Sequence, residues 1–375
     1  MKIVLAPDKF KGSLSAPDVC AAMTRGLRAA NPDIEIDACP VADGGEGTVA
    51  ALVAATGGRF ETRRVTGPLP EMKVDATFGV FGDGHTAVIE MAASSGLAML
   101  KPEDRNPLNT TTFGTGELLM AAAALGASEI ILGIGGSATV DGGIGCIQAC
   151  GLPVLLEGGE PLSPTEPLCG RDLPSVLMVK HGRGSTVERV RIRVACDVSN
   201  PLFGPTGAAR VFGPQKGATP KQVRWLDDAL RGLAERTGKQ AEARMPGAGA
   251  AGGLGFGMLA FFGATLQNGA QIVLDATRLQ ERLRGTDLCI TGEGCLDAGS
   301  LHGKATIAVA RLCKELGVPC MAIVGSVGEG VERAREEGLR EYRVIGEGAL
   351  PIEECIRRAP ALIEVTAKGV LEGRP

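Results

Sequence analysis

The sequence predicts an α/β fold, a parallel sheet covered by helices. Short apolar runs alternate with amphipathic stretches at both ends of the chain. Glycines gather in clusters at the ends of the apolar runs. A middle stretch carries strands separated by Gly/Pro turns and so departs from that alternation.

Ile3–Ala6 reads as a short buried strand. A helix over Ala16–Ala30 follows from the spacing of Val19, Met23 and Leu27, with Ser15 as N-cap and Pro17 in the first turn. Ile34–Ala42 reads as the next strand. Glu46–Ala55 reads as a helix ending at Gly57-Gly58. Phe60–Val65, Lys73–Phe78 and Thr86–Glu90 then form an expected antiparallel meander. Gly116–Leu125 is expected as helix, Glu129–Leu132 as strand and Gly142–Cys150 as short helix. Pro161–Pro174 is expected as loop, Arg191–Cys196 as strand and Val223–Gly232 as a helix holding Trp225. Residues 246–257 read as a glycine-rich loop leading into a buried helix. Leu288–Thr291, Met321–Val324 and Tyr342–Ile345 are expected as strands, Thr306–Leu316 and Pro351–Glu364 as helices.

The two ends look alike and the middle differs. One economical architecture builds a single α/β domain from residues 1–62 and 284–375 and inserts a mixed α+β domain, residues 63–283. Two sequential domains split near residue 120 are the alternative.

A chain of 375 residues is long enough to bury a sizeable core without disulfides or metals. The net charge of −4 and the 3% aromatic content exclude a nucleic-acid binder, which needs a basic field or stacking platforms. The 11 cysteines include no C-x-x-C. With three histidines, His85, His181 and His302, they predict buried thiols in a reducing cytoplasm rather than a zinc site. The N-terminal apolar run is too short for a signal peptide. The stretch Met245–Leu274 carries no charge, but Pro246–Gly257 within it is mostly Gly and Ala, too weakly apolar to span a membrane.

Five clusters share one pattern, an apolar run followed by a carboxylate beside glycine. They contain Asp8 with Lys11; Asp43, Gly44, Gly45 and Glu46; Gly135, Gly136, Ser137 and Asp141; Asp197; and Gly292, Glu293, Gly294 and Asp297. Ligands of α/β sheets bind outside the carboxyl ends of strands. Glycine there lets backbone N–H groups face phosphate oxygens, and a carboxylate there holds a cation or takes a proton. Acids and phosphate tolerate each other when a metal stands between them, so the interleaving points to a magnesium–phosphate site. Lys304, just before a helix, and Lys216, in the turn Phe212–Ala218, are candidate anion-binding cations, with Lys11 and Arg210 beside Lys216 in that role.

Two other function classes compete. Gly133-x-Gly135-x-x-Ala138, with Glu157 downstream, matches a dinucleotide fingerprint and would make the protein an oxidoreductase. Against it stand Gly142, Gly143 and Gly145, poor formers of the helix that fingerprint needs. A non-catalytic metabolite-binding protein is the other alternative. A Walker A loop is excluded, because Ala298 and Ala305 replace its required Gly and Ser/Thr.

These segments, in order along nearly the whole chain, resemble the bacterial glycerate kinases of the glycerate 2-kinase class. Carrying the resemblance are Ala6-Pro7-Asp8 with Phe10-Lys11-Gly12-Ser13; Ala42-Asp43-Gly44-Gly45-Glu46-Gly47-Thr48; and Gly114-Thr115-Gly116-Glu117. Further on they are Gly133–Thr139 with Asp141-Gly142-Gly143; Cys196-Asp197 with Asn200-Pro201-Leu202; Phe212–Gly217; and Thr291-Gly292-Glu293-Gly294 with Leu296-Asp297. The resemblance implies a flavodoxin-like domain with an inserted second domain. It implies ATP- and Mg²⁺-dependent phosphorylation of D-glycerate, commonly to 2-phosphoglycerate, with the 3-isomer as the other outcome. For such a reaction, glycine-rich turns at Gly135–Ser137 and Gly292–Gly294 are expected to cradle phosphates, Asp197 and Glu293 are the candidates to hold Mg²⁺, Asp43 or Asp8 to orient or deprotonate the hydroxyl, and Lys11 and Lys304 to neutralise the transferring phosphoryl group or the glycerate carboxylate, the roles of the acids being interchangeable. The pattern departs from the family at Lys9, Val140, Gly299, Thr306 and Ala308. Oligomeric state is not readable from the sequence.

Overall fold

The structure is a computed structural model and describes residues 1–158, 166–179, 185–348 and 350–371. The chain falls into two compact units. The first comprises residues 1–43, 47–58 and 270–375; the second comprises 44–46 and 59–269.

The first unit opens with strand β1 (Lys2–Pro7), the helix Ala16–Ala30 and β2 (Glu35–Ala38). Ser15 caps the helix by accepting from the Asp18 N–H. The expected strand Ile34–Ala42 is shorter, because Pro40 cannot donate to a ladder. Cys39 and Val41 nevertheless donate to the Leu5 and Pro7 carbonyls, so this segment runs beside β1 and delivers Asp43 to its carboxyl end. The helix Thr48–Thr56 begins and ends at left-handed glycines, Gly47 and Gly57.

The second unit contributes β3 (Arg59–Thr66), β4 (Lys73–Val80), β5 (Thr86–Glu90), β6 (Glu129–Gly133), the hairpin β7 (Val154–Leu156) and β8 (Val176–Val179), β9 (Arg191–Ala195) and β10 (Thr265–Gln267). β3, β4 and β5 form the expected antiparallel meander, but β5 also pairs with β6 in parallel. The result is a mixed six-stranded sheet, order β10-β9-β6-β5-β4-β3. The helix Phe113–Ala124 packs on it through Leu118, Leu119 and Ala122. The helix Pro220–Arg236 is capped by a Thr219–Gln222 box and buries Leu226, Leu230 and Leu233. The expected helix Gly142–Cys150 starts later, at Ile144, because Gly142 and Gly143 are left-handed.

The glycine-rich loop expected at 246–257 is in part helix, Ala250–Phe262, interrupted by left-handed Ala251, Gly252 and Gly253. The close fit explains the glycine: a Cβ on Gly252 would stand 1.9 Å from the Thr139 carbonyl oxygen. Within the expected loop Pro161–Pro174, residues 166–169 are irregular and Gly170–Ser175 is a 3₁₀ turn, while residues 161–165 lie outside the described residues, as does His181.

The chain then returns to the first unit with β11 (Leu288–Leu296), the helix Ala305–Leu316, β12 (Cys320–Val327), β13 (Leu339–Val344) and the helix Ile352–Leu371. The five parallel strands order as β2-β1-β11-β12-β13. Counted within this unit that is 2-1-3-4-5, the flavodoxin-like order the resemblance implies. Its core includes Ile3, Leu5, Met23, Leu27, Ile290 and Ile323. The last helix outruns its expected end at Glu364, because Ala367 and Val370 join that core. Its backbone meets the helix Ala16–Ala30 at Gly26, where a Cβ would lie 2.1 Å from the Glu364 carbonyl oxygen. No helix among the described residues is long and apolar enough to cross a membrane.

Candidate active site

In the first unit the strand order reverses between β1 and β11, and the carboxyl ends of these two strands form the switch point where ligands of such sheets bind. β1 ends at Pro7, level with Gly292, and the Asp8 N–H closes the pair on the Gly292 carbonyl at 2.8 Å. β11 runs on alone beside β12 from Glu293 to Leu296. Topology thus places Asp8 and Glu293 together at the exit of the two central strands.

Both acids are buried, 7% exposed each. Burial, with the charges of Asp43 and Glu293, pushes the Asp8 carboxyl up to about 7, against the opposing pull of Lys9 and its N–H at 2.6 Å. Burial likewise raises Glu293 to about 7, although the Ser300 hydroxyl, Lys304 and Thr306 pull the other way. Glu293 Oε2 accepts from Ser300 Oγ at 3.0 Å, while Oε1 is buried without a hydrogen-bond partner. An orphaned carboxylate oxygen is a costly thing to bury unless a ligand completes it. Hard anionic oxygen is the donor that Mg²⁺ takes, commonly from one or two carboxylates, so these residues fit that ion.

Gly292, Glu293 and Gly294 were expected in a turn but lie inside β11. Gly292 is there for packing, since a Cβ would sit 2.1 Å from the Ile323 carbonyl oxygen; Gly294 lies against the backbone of Phe10 and Lys11. Asp297 forms a turn in which its Oδ1 accepts the Ser300 N–H at 3.1 Å. Lys304 is the exposed N-cap residue of the helix Ala305–Leu316, and Lys11 is exposed as well. The His302 side chain lies outside the described residues.

In the second unit the carboxyl ends of the parallel strands β6 and β9 gather a second set. Gly44 is left-handed, and a Cβ on it would collide with Ala195 and Gly269; Gly133 approaches the Gly44 carbonyl and Gly135 approaches Gly45. The Gly44-Gly45-Glu46 segment therefore crosses these strand ends. The turn after β6 holds left-handed Gly136 and Ser137. Asp197, exposed after β9, accepts at Oδ1 from Asn268 Nδ2 at 2.8 Å and the Gly269 N–H at 2.9 Å, which fixes its orientation.

Three residues differ from their expected settings. Lys216 is not a surface cation: it is 2% exposed, donates to Ser137 Oγ at 2.6 Å and the Thr139 carbonyl at 2.7 Å, and is brought down to about 7 by burial, with Asp141 opposing. Asp141 is fully buried. Its Oδ2 accepts from the Thr112 N–H and hydroxyl at 2.8 and 2.7 Å, and its Oδ1 accepts the Gly143 N–H at 3.1 Å. Burial raises its pKa despite these donors. Lys216 anchors the loop that carries Ser137, and Asp141 ties the Gly142-Gly143 turn to Thr112. Arg210 pairs with the buried Asp227 at 3.1 Å, which supplies it with a structural role.

Sequence reasoning missed Ser300, Asn268 and Arg105. Each acts through a neighbour distant in sequence or through a turn with no motif of its own. Arg105 carries a buried Nε without a partner, and its backbone touches Gly217, next to Lys216.

A family model described as the glycerate kinase family matches residues 3–373. The chain belongs to the glycerate kinase family. It is 45% identical over 374 residues to the glycerate kinase of Bacillus subtilis (strain 168), spanning 99% of this chain and 97% of that one. It is 46% identical over 343 residues to the glycerate 2-kinase of Escherichia coli (strain K12), spanning 90% and 89%. A crystal structure from Salmonella typhimurium LT2, of a protein described as a candidate glycerate kinase 2, superposes with a TM-score of 0.88 at 42% identity, covering 99% and 97%. Glycerate kinase membership makes the chain a phosphotransferase that uses ATP, and bears out the expected fold class and activity.

Proposed function

We propose that the chain transfers the γ-phosphoryl group of ATP to the 2-hydroxyl of D-glycerate with Mg²⁺, giving 2-phosphoglycerate and ADP. The observation that carries this reading is the pair of buried carboxylates at the β1/β11 switch point, Asp8 and Glu293, in a chain of this family. Phosphoryl transfer asks for positioning and charge neutralisation more than covalent chemistry. Asp8, poised at about 7, accepts the hydroxyl proton, and Asp43 beside it orients the acceptor. Glu293, through its orphaned oxygen, would hold Mg²⁺, which when bound neutralises phosphate charge and orients the triphosphate. Asp197, held by Asn268 and Gly269, is the second candidate for the ion. The N–H groups of Gly44-Gly45 and Gly135–Ser137 face phosphate oxygens, and Lys11 and Lys304 offset the transferring charge. The 11 free cysteines support work in a reducing cytoplasm.

The test is an ADP-release assay with ATP, Mg²⁺ and D-glycerate, repeated with L-glycerate, tartronate and hydroxypyruvate. Phosphorus NMR then assigns the product. Release of ADP only with D-glycerate, and a 2-phosphate signal, is the expected result. No release with D-glycerate ends the proposal, and a 3-phosphate signal reassigns the acceptor atom.

A further inference from the structure

Behind the strands of the first unit, away from the carboxylates just described, three thiols meet. Cys289 on β11 and Cys320 on β12 are register partners on adjacent parallel strands, so their side chains leave the same face of the sheet. Cys313 comes from the helix Ala305–Leu316, which packs on these strands. All three are buried, and their sulfurs lie within 4.8 Å of one another. Among the described residues no other Cys, His, Asp or Glu joins them in that group.

Geometry selects among the possible uses of such a trio. A disulfide needs two sulfurs at ~2.05 Å, which demands a large contraction inside a packed layer. Tetrahedral zinc needs a fourth donor, from the protein or from water, and among the described residues three buried sulfurs have no such donor beside them. Three sulfurs, each about 2.3 Å from a central ion in a trigonal plane, stand about 4.0 Å apart. The observed spacing reaches that with small rotations. Thiolate donors select soft d¹⁰ ions. We propose that Cys289, Cys313 and Cys320 form a three-thiolate site for one Cu(I) ion. Binding forms three Cu–S bonds and releases three S–H protons to water, with no electron transferred.

The test uses the full-length reduced protein without oxygen, titrated with Cu(I) against a colorimetric Cu(I) chelator. Copper K-edge absorption on the loaded protein reads the ligands. The expected result is one Cu(I) per chain with three sulfur neighbours near 2.3 Å. Cys313→Ser lowers affinity by at least about 100-fold, while Cys295→Ser, an exposed thiol on the same strand, leaves it unchanged. If Cys313→Ser does not fold, the absorption spectrum of the unaltered protein decides. Failure to withhold copper from the chelator, nitrogen or oxygen neighbours in the spectrum, or unaltered affinity in a folded Cys313→Ser variant overturns the site. None of these readouts depends on the kinase reaction.

Discussion

At the scale of single residues, the acids divide by what surrounds them. Asp141 is fully buried, and its carboxylate accepts from the Thr112 N–H and hydroxyl and from the Gly143 N–H. Asp141→Asn turns one acceptor into a donor facing N–H groups. It should cost about 1–3 kcal/mol in urea unfolding. Glu293 is the opposite case, an acid buried with one oxygen unanswered. Glu293→Gln should lower kcat by ~10² or more, if the oxygen holds metal, yet raise Tm at pH 8, because a neutral amide is cheaper to bury than a carboxylate. Steady-state kinetics and thermal melts on the same sample check both halves. Equal losses of activity and stability would show that Glu293 is structural. Lys216 was legible as a lysine in a turn-forming setting, but its burial was not, since Ser137 and Thr139 reach it from 79 and 77 residues away.

At the scale of elements, glycine positions follow the paths of neighbouring backbone. The clusters were visible in the sequence, and their reading as ligand turns was natural, because Gly-Glu-Gly looks alike in a turn and in a strand. The structure separates the two cases. Gly136 is left-handed in a turn after β6, whereas Gly292 lies flat in β11 under the Ile323 carbonyl. Gly292→Ala should therefore act on packing, by about 1–3 kcal/mol or more, since a backbone carbonyl cannot yield as a side chain does. Lost expression or a large fall in Tm is the expected outcome; a melt unchanged within 1 °C would sink this account. The strand calling for correction at Ile34–Ala42 follows the same logic. Its apolar pattern was legible, but Pro40 ends the ladder while Cys39 and Val41 keep the path beside β1.

At the scale of the whole molecule, the raised carboxyls leave a mark on stability. Asp8 and Glu293 titrate near 7 in the fold and near 4 in an unfolded chain. Between those values the native state binds more protons, so stability declines as pH rises from about 4 to 7 and stays lowered above. Melts without metal should fall by a few °C across that range on account of these groups. The slope should flatten in the double variant Asp8→Asn/Glu293→Gln. An equal slope in that variant would place the linkage elsewhere. The second unit is nearly continuous in sequence and owns a large core. Residues 59–269 expressed alone should unfold in one cooperative transition in urea; a non-cooperative melt would show that this unit is not a folding domain.

The sequence by itself determined the class of fold, the alternation at the two ends, the acids and glycines at strand ends, and, through motif order, the family. Those features are local or ordered along the chain, and each is written in a window of a few residues. Only the tertiary structure decided which acids lose water, which oxygen is left unanswered, which lysine is interior and which three thiols meet. Each of these depends on groups brought together from distant positions, and burial and electrostatics are properties of that neighbourhood, not of the residue that carries the charge.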